Sequence, residues 1–188
     1  SSGKMGYALA EAAVQEGAIV NLVSGPVVLA ADKSINLFKI NSASEMLEAV
    51  NTCMKSSDIF ISCAAVADYK PSNYSDTKIK KENLDNLEIN LEKNRDILSE
   101  VAEQFSSAYI VGFAAETSDV NSNAKKKLDS KNLNMIISND VSDTSIGFDS
   151  DENEVHVITS NETIFIKKDK KIRIAREILN IISTNINS

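Results

Sequence analysis

The chain has 188 residues, 43% hydrophobic and 25% charged, with a formal net charge of −7. That length and balance suit a globular protein with a core of its own, while the acidic excess argues against a nucleic-acid partner, whose phosphates need a basic face. No apolar run approaches the ~20 residues of a membrane span. Two cysteines, Cys53 and Cys63, and one histidine, His156, cannot complete a zinc site; they read as two buried free thiols in a reducing cytosol and a histidine without a role, so the cytoplasm is the expected compartment.

Residues 4–16 are alanine-rich with apolar side chains at helical spacing, and Gly17 follows as a stop. Residues 19–24 (IVNLVS) predict a strand broken by Gly25-Pro26, and residues 36–40 a second. Ser44 is expected to cap a helix running to about Lys55, with Met46, Leu47, Val50 and Met54 on one face. The nearly continuous apolar run DIFISC at 58–63 suits a central parallel strand covered on both faces. A polar stretch follows over 67–86, a length without regular structure that usually serves function. Residues 87–91 alternate as a strand, and Asn94 or Asp96 opens a helix to about Phe105. Strands are predicted at 109–113 and 135–138, around a helix over 119–131 that is basic at its end, with a loop over 139–151. Residues 155–159 and 163–167 alternate around Ser160-Asn161-Glu162 as a hairpin. An amphipathic helix over 169–186 closes the chain.

Strands separated by helices predict an α/β fold: an open, mostly parallel Rossmann-like sheet flanked by helices, ending in a β-hairpin and a closing helix. Ligands of such sheets bind beyond the carboxyl ends of the strands, so the segments after Ser24, Cys63, Leu91, Phe113 and Ser138 should surround the site. Residues 1–188 read as one domain. A doubly wound sheet normally begins with a strand, yet SSGKMG leads straight into a helix; a first strand and its glycine-rich loop are therefore expected upstream of Ser1.

Ser2, Gly3 and Lys4 sit at a helix start, where free N–H groups suit a phosphate, although Met5 after Lys4 departs from the P-loop pattern and close packing of small residues is the alternative. Ser62-Cys63-Ala64 follows a strand and lets a ligand approach the backbone; Asp68 beyond it suits magnesium or a ribose hydroxyl, or else a turn. Lys78-Ile79-Lys80-Lys81 and Lys125-Lys126-Lys127 with Lys131 are the two basic clusters of an acidic chain. Lys127 and Lys131 are four apart and share a helix face, where they could clamp a triphosphate or simply face solvent. Phe113 is either core or a base contact.

Taken in order, SSGKMG (1–6), LVSGP (22–26), CAAVADY (63–69), KIKK (78–81), VGFAAET (111–117) and NDV (139–141) resemble phosphopantothenoylcysteine synthetase, in the bacterial form fused behind a flavin-dependent decarboxylase. The resemblance covers essentially the whole chain. It implies CTP-dependent joining of 4′-phosphopantothenate to L-cysteine through an acyl-cytidylate, with magnesium, in a homodimer whose sites use both subunits. By the same resemblance Lys78 is the key cation over the triphosphate. Ser62, Cys63, Ala64, Asp68, Asn94, Asp96, Ile97, Phe113, Lys127 and Lys131 border the nucleotide, and Ser2, Gly3 and Lys4 meet the substrate phosphate. Arg95 stands where the fused enzymes often carry proline. The family's first strand, with an asparagine that handles the acyl-cytidylate, and its decarboxylase half are not in this sequence, so no flavin is expected here. Two other readings compete. An NAD(P)-dependent reductase on the same kind of sheet is disfavoured by the absent dinucleotide fingerprint. The other is a non-catalytic interaction domain.

Overall fold

The first helix, α1 (Lys4–Gln15), buries Met5, Leu9, Ala10 and Ala12, the stripe its spacing predicts. Gly17 follows it with φ 88°, a left-handed conformation that suits glycine at a helix end. The computed structural model describes residues 2–73, 77, 88–116, 120–140 and 150–187. After α1 come β1 (Asn21–Ser24), β2 (Asn36–Lys39), α2 (Ala43–Met54), β3 (Ile59–Ser62), β4 (Tyr69–Pro71), β5 (Leu91–Lys93), α3 (Ile97–Gln104), β6 (Tyr109–Glu116), α4 (Val120–Ser130), β7 (Met135–Asp140), β8 (Glu152–Ile158), β9 (Thr163–Lys170) and α5 (Lys171–Ile186).

The expected α/β architecture holds. The main sheet runs β3-β6-β7-β8-β9, parallel from β3 to β7 and antiparallel from β7 to β9. Alternation along its strands builds two cores. Ile110 and Ala114 of β6 and Ile136 of β7 join one core with Met46, Leu47, Val50 and Met54 of α2, Ile97 and Val101 of α3, and Leu128 of α4. Val111, Met135 and Ile137 point the other way, into a core with Met5 and Leu9 of α1 and Ile174, Ile178 and Ile182 of α5. The result is three layers, helices on both faces of the sheet.

Three sequence expectations are corrected. The α2 cap is Ser42, not Ser44: the Ser42 Oγ accepts from Glu45 N at 3.2 Å and the Glu45 carboxylate accepts from Asn41 N at 3.0 Å. Of the two serines only Ser42 has a glutamate three residues on, the spacing of a capping box. Among the described residues the DIFISC run forms a strand paired on one side alone, β3 against β6, instead of a central one, and Ile59 is 39% exposed. The strand expected over 87–91 is displaced to Leu91–Lys93, because pairing with Tyr69–Pro71 selects the register instead of local alternation. Leu91 therefore opens an antiparallel ribbon and is not a carboxyl end of the parallel sheet.

Strands β1 and β2 pair in parallel as a separate two-stranded sheet. Both β1 and β3 pack towards the α2 core through Val23 and Phe60. The first turns of α1 bridge their carboxyl ends: the Tyr7 hydroxyl donates to Ser24 Oγ at 3.1 Å, and Gly6 faces Cys63 Cβ at 4.0 Å from where its own Cβ would stand. No hydrogen bonds join β1 to β3 among the described residues.

Candidate functional site

Beyond the carboxyl ends of the parallel strands, the chain brings several expected residues together. The segment leaving β3 carries half-buried Ser62 and Cys63, then exposed Ala64 and Asp68. Asn94 clamps this loop: its side-chain amide donates to Ala67 O at 2.8 Å and its N–H to Asp68 O at 2.8 Å. Two residues on, Asp96 caps α3 by accepting from Ser99 N at 3.1 Å, and its other oxygen accepts from Lys131 Nζ at 2.6 Å. One chain of contacts thus links Asp68 through Asn94 and Asp96 to Lys131, at the end of α4. Lys127, one turn earlier, is exposed, and its carbonyl accepts from Lys131 N.

The remaining expected contacts are placed differently. Ile97 is 7% exposed and belongs to the core beneath α3, so only its backbone can meet a ligand. Phe113 packs with Cys63 against the α1–α5 core, on the opposite face of the sheet from Ile97 and Leu128. It reaches a ligand shared with Lys131 only over the sheet edge. Burial pushes the Cys63 thiol up to about 12 despite the opposing charge of Lys171, which keeps it protonated at neutral pH. Both cysteines are free, and each is partly rather than fully buried. Lys78 with its neighbours Ile79–Lys81, Thr117 and Val141 lie outside the described residues.

Ser2 and Lys4 border a recess of about 340 Å³ whose other wall is Pro26, Val27, Val28 and Leu29. Gly3 is the N-cap of α1 at φ 78° and offers no side-chain cap. A Cβ there would stand 3.0 Å from Val27 Cγ1, so the wall closes onto a residue only glycine fits. Lys4 pairs with Asp151 at 2.7 Å at the same rim. A helix N-terminus, a cation and an apolar wall together suit a phosphate on an apolar chain.

Partial burial would raise the Asp96 carboxyl, but the Lys131 ammonium and the Ser99 N–H outweigh it and hold Asp96 below the ordinary carboxylate range. Because the folded value is depressed, this stabilisation is present above the unfolded value of about 3.9 and is lost as pH falls through the depressed one. Asp96→Asn keeps a capping oxygen and removes the ion pair, whereas Asp96→Ala removes both. At pH 7 the first is expected to cost about 0.2–1 kcal/mol and the second about 1 kcal/mol more. Urea unfolding at pH 7 and pH 3 checks this: the gap between wild type and Asp96→Asn should narrow at the lower pH.

Sequence reasoning missed a second cleft, between α2 and the β4–β5 ribbon, lined by Glu48, Asn51, Lys70, Lys93, Asn94 and Arg95 among others. Its signal was faint: Glu48 and Asn51 share the polar side of α2, but the ribbon lysines come together only through a pairing register that alternation did not reveal. Among the described residues no group of three or more His, Cys, Asp or Glu side chains could hold a metal, and no helix is long and apolar enough to cross a membrane.

The model of the DNA/pantothenate metabolism flavoprotein C-terminal domain matches residues 1–186. The chain belongs to that family. It is 44% identical over 186 residues to the coenzyme A biosynthesis bifunctional protein CoaBC of Vibrio vulnificus (strain CMCP6), covering 98% of this chain and 46% of that protein. It is 46% identical over 172 residues to CoaBC of Bacillus subtilis (strain 168), covering 91% and 40%. The chain thus spans less than half the length of these curated relatives. The crystal structure of the C-terminal domain of a CoaBC protein superposes with a TM-score of 0.83 at 39% identity, covering all of this chain and 84% of that one. A Cab2 mutant H337A in complex with phosphopantothenate-cysteine superposes at 0.79 with 16% identity, covering 100% and 80%, and shares the fold.

Proposed function

We propose that this family member joins 4′-phosphopantothenate to L-cysteine at the expense of CTP, in coenzyme A biosynthesis in the cytoplasm. A carboxylate oxygen of phosphopantothenate attacks the α-phosphorus as the bond to pyrophosphate breaks. The cysteine amine then attacks the acyl carbonyl of the cytidylate, and CMP leaves. The observation that carries the reading is the run of contacts from Asp68 through Asn94 and Asp96 to Lys131 at the sheet's carboxyl edge, in a chain matched by the family over almost its whole length.

In this reading Lys127, Lys131 and Lys78 meet the triphosphate, and Ser62, Cys63, Ala64 and the backbone of Ile97 border the nucleotide, with Phe113 against the base. The recess at Ser2, Gly3 and Lys4 takes the substrate phosphate, its apolar wall lying along the pantothenoyl chain. Asp68 is exposed and fits a magnesium ion, which such sites commonly hold by one or two carboxylates together with substrate phosphates; when bound, the ion would offset phosphate charge. The active assembly is a homodimer with sites drawing on both subunits, and a decarboxylase domain is its partner in the full-length protein. The same reading assigns the open edges of β1 and β3, bridged by the first turns of α1, to a strand running in parallel ahead of α1.

Calorimetric titration with CTP, ATP and NADPH, each with magnesium, tests the reading. CTP is expected to bind selectively. Binding of NADPH with no response to CTP would overturn the ligase in favour of a reductase.

A further inference from the structure

Asn94, Arg95 and Asp96 follow one another in the chain and hold three different partners. Asn94 donates twice to the loop after β3, to Ala67 O and to Asp68 O, each at 2.8 Å. Asp96 caps α3 and accepts from Lys131 Nζ, at the end of α4, at 2.6 Å. Between them Arg95 reaches forward over the first turn of α3. Its Nε donates to Glu100 Oε1 at 2.8 Å and its Nη2 to Glu100 Oε2, two nitrogens on two oxygens, the fork in which a guanidinium holds a carboxylate with defined geometry.

With Asp96 as the N-cap of α3, Arg95 stands one residue before the cap and Glu100 four residues after it. These are the two positions whose side chains, when apolar, form a hydrophobic staple, the contact that fixes the angle at which a chain enters a helix. Here the same positions carry an ion pair. The Glu100 N–H donates to Asp96 O at 3.0 Å, so its carboxylate stands on a formed turn, and its side chain is only 20% exposed. Arg95 is 70% exposed. Exposed ion pairs between two mobile side chains contribute little, and a bidentate fork is the geometry in which they do contribute. Each residue adds two soft dihedrals to the backbone. Those of Arg95 lie midway between the Asn94 clamp and the Asp96 cap, so they set how the loop after β3 is disposed towards Lys131.

We propose that Arg95 and Glu100 form an ionic staple that positions the two sides of the nucleotide site. They are positioning residues: the pair acts through Asn94 on the Ala67–Asp68 loop and through Asp96 on Lys131, and not by touching the nucleotide. The proposal rests on the ligase reading for the identity of the ligand, CTP.

Two measurements on the full chain test the staple. The first is hydrogen exchange at the Asn94 and Ser99 amides, which donate to Asp68 O and to the Asp96 side chain. Arg95→Gln keeps most of the side-chain length and removes the charge. It should speed exchange at both amides about three- to fivefold, the size of a well-formed exposed ion pair, and leave the amides of β7 unchanged as the mark of an intact fold. The second is the KM for CTP in Arg95→Gln, Glu100→Gln and the double variant. Each single change is expected to raise it about three- to fivefold with kcat and the KM for phosphopantothenate kept. The double variant should be no worse than the worse single, because a pair is broken only once. High salt should narrow the gap between wild type and Arg95→Gln. Losses that multiply in the double variant overturn the staple, and so does an unchanged KM for CTP in both singles. Tighter CTP binding by Glu100→Gln also overturns it, since Arg95 would then be a ligand set free from its partner. Unchanged exchange at Asn94 and Ser99 in Arg95→Gln has the same force. Wild-type protein that binds no CTP overturns the ligase reading instead, and the exchange measurement then decides the staple alone.

Discussion

Lys78→Ala is expected to lower turnover by about 10²–10³-fold, the loss typical of removing one preorganised group that stabilises developing charge. The reasoning begins with the reaction. Attack of a carboxylate on the α-phosphorus brings two anions together, so catalysis depends on positioning and on neutralising charge as it moves to the leaving pyrophosphate. The chain carries net charge −7, which makes each local cation at the site count. Lys78 lies in the connection between β4, which ends at Pro71, and β5, which begins at Leu91. The foot of that ribbon is fixed beside the nucleotide loop: Tyr69 pairs with Lys93, and Asn94 binds Ala67 and Asp68. The connection leaves the ribbon at Pro71 and returns at Leu91, two residues along each strand from Tyr69 and Lys93. A cation acting mainly in the transition state lowers kcat and kcat/KM together, whereas one that only binds CTP raises KM with kcat kept. Steady-state kinetics with CTP as the varied substrate, alongside thermal unfolding to show an intact fold, separates these cases. Wild-type turnover in the variant would remove Lys78 from the mechanism.

The parts of the fold legible in the sequence are those where local pattern and tertiary packing agree. The apolar spacing of Met46, Leu47, Val50 and Met54 fixed the buried face of α2, and the alternation around Ser160-Asn161-Glu162 fixed the β8–β9 hairpin. That β3 is paired on one side alone among the described residues was hidden because an apolar run looks alike whether one or both sides of a strand are paired; only the sheet order shows it. The β5 register was hidden because it depends on partners twenty residues away. In the site, small residues after strands and a basic helix end pointed to Cys63, Ala64 and Lys131. The contacts that join them, Asn94 to Ala67 and Asp96 to Lys131, are side-chain bonds between segments far apart in the chain, for which the residues alone carry no geometric signal. The facing of Phe113 towards α1 and α5 follows from strand register for the same reason.

Ile178→Ala is expected to cost about 2–5 kcal/mol, a large share of the roughly 5–15 kcal/mol that holds a domain folded. Ile178 is 0% exposed at the middle of α5 and belongs to the core that joins α5 and α1 to β6, β7, β8 and β9. Truncation removes buried apolar surface and leaves a cavity between a helix and a sheet, both already fixed by their own hydrogen bonds, so collapse around it is limited. For a chain of this size each kcal/mol lowers Tm by about 2–4 °C. Ile186, at the far end of the same helix, is 46% exposed; its alanine variant should change stability by no more than about 0.5 kcal/mol, which makes it the control for lost helix hydrophobicity without lost packing. The consequence for function runs through the start of α5. Buried Lys171 donates to Ser150 O at 2.5 Å, its N–H donates to Asp151 O, and Asp151 in turn holds Lys4 at the recess beside Gly3. Docking of α5 thus braces the rim proposed for the substrate phosphate, on the opposite face of the sheet from Asp96 and Lys131. Well below its Tm, Ile178→Ala should raise the KM for phosphopantothenate as the α5 start loosens and weaken CTP binding less, since of the nucleotide residues only Cys63 and Phe113 pack on this core. Equal losses for both substrates would show that the two helical layers act on one site without distinction.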